Sequence, residues 1–159
     1  MLNFSNLIAF RVNGVSDKNN LDHIFYPIEN TNIRIAEEEL GFSLPQELAV
    51  FFEKVGYGFF WQQNKDSFDR LLSPQQIAQI NLKKDFYESD PDLEVYDDIY
   101  NEDKLLFFEV NEGLYLAIDK NSTNGKNAIY YFEKKIFDSF DDFIEALLVD
   151  QDLISNLED

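Results

Sequence analysis

Carboxylates dominate the groups in this sequence that can do chemistry, and they are unevenly placed. Between Asp85 and Asp103 lie Asp85, Glu88, Asp90, Asp92, Glu94, Asp97, Asp98, Glu102 and Asp103, with no Lys or Arg among them and with Tyr87, Tyr96 and Tyr100 interleaved. Carboxylates pair with Lys and Arg, and tyrosines supply rigid contact area at low entropic cost, so this mixture suits a surface that recognises a basic protein. The plainer alternative is a solvated loop whose charges do nothing specific. A second acidic stretch, Asp138, Asp141, Asp142, Glu145, Asp150, Asp152, Glu158 and Asp159, follows the last basic residue, Lys135. There the carboxylates oppose an apolar helical stripe, as they do on any surface helix.

Other chemistries find little to work with. The alternate spacing of Asp90, Asp92, Glu94, Tyr96 and Asp98 suggests a calcium loop, but Val95 stands where such a loop needs glycine and Asn101 where it needs a bidentate glutamate. The single histidine, His23, has no partner at motif spacing and reads as structural or exposed. With no cysteine there is no thiolate metal site and no cysteine nucleophile. No glycine-rich phosphate loop or nucleophile elbow is present, since Gly56-Tyr57-Gly58 is too short for either. Among so many carboxylates some pair will fall close by chance, so spacing alone does not identify a hydrolase. Phe59, Phe60 and Trp61 suit a core better than a ligand groove. The expectation is a protein without catalytic residues, metal or cofactor.

The charge narrows the partners. The chain carries 31 acidic against 13 basic residues, a formal net charge of −18. Such a surface repels nucleic-acid phosphates and anionic lipids, and attracts basic surfaces over about a Debye length, roughly 8 Å at physiological salt. Neither a nucleic acid nor a membrane is expected as a partner. The first residues lack a basic region before their apolar ones, and no apolar run approaches the roughly 18 residues that span a bilayer. A soluble, cytoplasmic protein is the expectation.

The elements that must position these residues follow from periodicity. Sixteen Phe and eight Tyr supply an aromatic core. Residues 1–30 hold short apolar patches without a clear period. From Asn32, the residues Ile33, Ala36, Glu37 and Leu40 lie at helical spacing, with Gly41 as a left-handed stop. Ser43-Leu44-Pro45-Gln46 reads as the start of a second helix with proline in its first turn; Leu48, Phe51, Phe52 and Val55 form its apolar face. Phe59-Phe60-Trp61 reads as a strand. Ser73-Pro74-Gln75-Gln76 opens a third helix with Ile77 and Ile80 on one face. Asp90-Pro91 should break any helix that reaches it, leaving a polar connection after it. Leu105–Val110 and Leu114–Ile118 form a hairpin, and Ala128–Phe132 adds a further strand, giving an antiparallel meander. Ser139 caps a last helix striped by Phe140, Phe143, Ile144, Leu147 and Leu148. The sum is an α+β fold, one domain over residues 1–159, with an antiparallel sheet flanked by helices.

This order of signals resembles the SMI1/KNR4 (SUKH) superfamily. Glu38-Glu39-Leu40-Gly41-Phe42-Ser43-Leu44-Pro45, continuing through Phe51-Phe52 to Val55-Gly56, is similar to the family's acidic-Leu-Gly, Leu-Pro and apolar-helix pattern, departing from it where many members have Asn-Gly. Arg70-Leu71-Leu72-Ser73-Pro74-Gln75-Gln76-Ile77 resembles its strand leading into a Ser-Pro helix start. Leu106-Phe107-Phe108 with Gly113-Leu114-Tyr115-Leu116-Ala117-Ile118-Asp119 resembles its hairpin ending in Asp. Ile129-Tyr130-Tyr131-Phe132, then Asp138-Ser139-Phe140-Asp141-Asp142-Phe143, resembles its last strand and helix. The resemblance implies an SMI1/KNR4-like fold and a binding function. Bacterial members of this kind are commonly immunity proteins that neutralise a cognate toxin, often a nuclease, and fungal ones are regulatory scaffolds. The partner so implied is a protein toxin with a basic surface.

Overall fold

The computed structural model describes residues 2–12, 21–63, 69–84, 88, 91–99, 103–110 and 113–158. Among them seven strands form one antiparallel sheet in strict chain order. These are β1 (Ile24–Tyr26), β2 (Tyr57–Phe60), β3 (Asp69–Leu71), β4 (Lys104–Val110), β5 (Leu114–Asp119), β6 (Ile129–Tyr131) and β7 (Lys134–Phe137). The meander expected for β4 to β6 therefore extends over the whole sheet.

Six α-helices accompany it among the described residues: α1 (Phe4–Ile8), α2 (Asn30–Leu40), α3 (Gln46–Lys54), α4 (Pro74–Leu82), α5 (Pro91–Ile99) and α6 (Phe140–Val149). A 3-10 helix, Ser155–Glu158, follows α6. Local chemistry explains their ends. Gly41 closes α2 in the left-handed region at φ 86°, where a side chain is strained. Ser73 and Gln76 form a full capping box on α4 with Pro74 at the first helical position. Ser139 accepts from the Asp142 N–H and opens α6.

Three expectations need correction. Helix α3 begins after Pro45, which has no side-chain cap to offer, and Ser43 is not its cap. The Leu44 N–H instead bonds the Glu37 carboxylate at 2.7 Å. Strand β2 stops at Phe60, because Trp61 turns out of it at φ 50°. The polar connection after Asp90 is helix α5, with Pro91 as its opening residue. Proline breaks a helix that reaches it and starts one that follows it. The short strands β1 and β7 lay in segments that showed no clear strand pattern.

One sheet face packs on α3 and α6 through aromatic rings. Phe25 of β1 meets Phe51 of α3 at 6.0 Å between centroids, Phe51 meets Phe140 at 5.5 Å, and Phe108 meets Phe143 at 5.3 Å. A bulge between Leu106 and Phe108 breaks the two-residue alternation, so Phe107 as well as Phe108 reaches the rings of α6. On α4, Asn81 supplies the hydrogen bonds at that bulge, donating to the Leu106 carbonyl at 2.9 Å and accepting from its N–H at 3.0 Å. Buried backbone groups left without a strand partner need such a substitute.

Candidate partner-binding surface

Helix α5 carries the centre of the acidic segment. Its inward side is fixed by Leu93 and Tyr96, both buried. The Tyr96 hydroxyl accepts from the Tyr115 N–H at 2.7 Å, and its ring stacks on Phe132 with centroids 5.7 Å apart and planes 15° apart. Tyr96 is thus an anchor of the core and offers no contact area to a partner, contrary to the expectation from sequence. A lone tyrosine among carboxylates reads as surface, whereas Leu93 and Tyr96 three residues apart are one turn of a helix.

With that side fixed, Glu94 and Val95 project to solvent, Val95 being 48% exposed. Glu88 and Asp103 are exposed as well. Asp92, Asp97 and Asp98 lie on α5, their side chains outside the description. Asp85, Asp90, Tyr87, Tyr100 and Glu102 lie outside the described residues. The calcium-loop reading fails on conformation, since residues 91–99 are helical and Tyr96 is buried.

The second acidic stretch has a different character. Burial pushes Asp141 up to about 6, with the carboxylates of Glu47, Glu145 and Asp142 acting in the same direction. Glu47 itself is pinned: it accepts from the N–H groups of Asn127 at 2.6 Å, Phe140 at 3.0 Å and Asp141 at 3.2 Å. A carboxylate at the first N–H groups of α6 is a favourable placement against the helix dipole. This end of α6 is therefore built into the fold by Glu47.

Two further titratable groups are buried: His23, read from sequence as structural or exposed, and Asp69, which the sequence did not single out. His23 sits among the rings of Phe10, Phe25, Phe60 and Trp61. Its Nδ1 accepts from the Trp61 N–H at 3.0 Å, and burial lowers it to about 4 against a weaker opposing effect of Asp22. It is a structural histidine. Asp69 on β3 lies opposite Phe60 and Val110, is 2% exposed, and among the described residues neither carboxylate oxygen has a hydrogen-bond partner. Burial pushes it up to about 7. Nothing local in the sequence separates Asp69 from the other carboxylates; only the strand register places it under cover.

No group of three His, Cys, Asp or Glu placed to hold a metal occurs among the described residues. Among them no helix is long and apolar enough to cross a membrane.

Comparison with known proteins identifies a family and a named relative. Residues 27–146 match the SMI1 / KNR4 family (SUKH-1). Over 130 residues the chain is 36% identical to "Immunity protein YxxD" of Bacillus subtilis (strain 168), covering 82% of this chain and 86% of that protein. No solved structure matches. On the extent of the family match and of this likeness, the chain belongs to the SMI1/KNR4 (SUKH-1) family.

Proposed function

We propose that this chain is an immunity protein that binds a cognate toxin with a basic surface, a nuclease, and neutralises it by covering the toxin's nucleic-acid-binding face, without turnover of its own. The observation that carries the reading is α5: Leu93 and Tyr96 clamp it to the sheet while Glu94 and Val95 face solvent in the most acidic segment of a chain of net charge −18. A helix anchored on its inner side, with Glu94 outward, is a preorganised docking element. The name of the Bacillus subtilis relative supports the immunity role. In this reading the protein works in the cytoplasm, where its toxin would act. A field of one sign raises association rates by roughly 10- to 1,000-fold, an advantage for an inhibitor that must arrive before damage is done.

The test is capture with tagged full-length protein from the source organism at low salt, eluted by raising salt. A basic, nuclease-like domain released by salt is the expected product. Lys in place of Asp92, Asp97 and Asp98 together should slow association with it about tenfold or more. Capture of an unrelated regulatory protein, from cells shown to make the toxin, would replace this reading with that of a scaffold.

A further inference from the structure

Between α2 and the start of α4 lies an open cleft of about 300 Å3. Ile28, Ile35, Tyr57 and Pro74 give it apolar walls, and Glu39 and Gln75 are among its polar lining. Ile35 is 51% exposed although it lines a concave surface, so covering it would favourably remove apolar area from water. The Tyr57 ring is braced by Tyr26, with centroids 5.4 Å apart. Among the described residues, Glu39 is the only charged one in the lining and has no ion pair.

These features select one kind of occupant. A purely apolar side chain would fill the walls but strip water from Glu39 without replacing it, which is costly. An acidic one would be repelled. A basic side chain with a long apolar stem satisfies both halves. Arginine does so better than lysine, because its planar guanidinium stacks on a tyrosine face and bonds a carboxylate through parallel N–H groups. Glu37 and Glu38, adjacent on α2, add to the same field.

We propose that this cleft receives an arginine side chain of the protein that the chain binds. The inference rests on the binding role proposed above, but it is tested apart from it. Isotope-labelled full-length protein is titrated with N-acetyl-arginine methylamide and followed by amide NMR, with the neutral citrulline analogue as control. Saturable shifts centred on Ile35, Ala36 and Tyr57 are expected, weakened about fivefold to tenfold for the citrulline analogue and in Glu39→Gln. No saturable shift there, or equal binding of both analogues, overturns the proposal. Where the wild-type chain captures a toxin, Ile35→Ser and Glu39→Gln should each weaken that complex. Unchanged affinity would remove the cleft from the interface and leave the immunity role standing, whereas arginine binding in a chain that captures no toxin would sink that role and keep the cleft.

Discussion

Glu47 and Asn127 bond each other twice across eighty residues of chain. The Glu47 N–H donates to Asn127 Oδ1 at 3.2 Å, and the Asn127 N–H donates to Glu47 Oε1 at 2.6 Å. Asn127 is fully buried and its Nδ2 also donates to the Asp119 carbonyl at 3.1 Å. One carboxylate thus ties the start of α3, the approach to β6 and the first turn of α6 together. Hydrogen bonds to a charged acceptor are stronger than neutral ones, and buried partners left behind are costly.

Removing that carboxylate should be among the most damaging single changes outside the apolar core. Glu47→Ala is expected to cost about 3 kcal/mol, with Glu47→Gln milder because an amide oxygen can still accept. Urea unfolding of both variants against wild type measures it, and a loss under about 0.5 kcal/mol in the alanine variant would show the bonds to be incidental.

Asp69 predicts a pH dependence of defined sign. Its unfolded value is 3.8 and its folded value about 7, so the folded state holds the proton more tightly. The stability this provides is complete below the unfolded value and is lost as pH rises through the folded one. Relative to Asp69→Leu, wild type should lose on the order of 4 kcal/mol between pH 4 and pH 8. Stability curves for the two proteins that run parallel over this range would refute it.

His23 titrates in the opposite sense. Its folded value, about 4, lies below its ordinary 6.5, so the contribution is present above 6.5 and lost as pH falls through about 4. Because Nδ1 accepts from Trp61, the ring proton belongs on Nε2. Nitrogen-15 NMR at pH 6 should find a neutral imidazole protonated at Nε2; an imidazolium at that pH would contradict the burial.

Glycine positions should separate into two classes. A Cβ on Gly58 would stand 2.0 Å from the Ile24 carbonyl oxygen, and one on Gly56 2.1 Å from that of Tyr26. Gly58→Ala is therefore expected to cost more than about 3 kcal/mol or to prevent β1 from pairing with β2. At Gly41, also at positive φ, a Cβ meets nothing within 4 Å, so Gly41→Ala should cost only about 1 kcal/mol. Thermal unfolding of the two variants, compared directly, checks the ranking.

What could be read in advance was what is encoded locally. The Ser73–Gln76 capping box, the Gly41 stop and the Phe140–Leu147 stripe each occupy a few consecutive residues, and each stands as expected. Helix α5 was hidden because acidic residues outnumber its two inward positions and Pro91 reads more readily as a breaker than as an opener. The surface reading of Tyr96 failed with it. The roles of Glu47 and Asp69 were illegible for a different reason: each is set by segments far away in the chain, and no window of sequence contains both partners. The cleft at Ile35 and Glu39 is likewise a product of two helices meeting.

The sheet's neighbour-by-neighbour order bears on how the protein is made. Each strand pairs with the one synthesised just before it, so loop closure is inexpensive at every step, and pairing can proceed while the chain leaves the ribosome. The aromatic layer cannot. Phe51, Phe107 and Phe108 find ring partners on α6, and Glu47 waits for the N–H groups of Phe140 and Asp141. A nascent chain stalled before Phe140 would thus hold an almost complete sheet with one greasy flank bare, the form most exposed to proteases and to self-association.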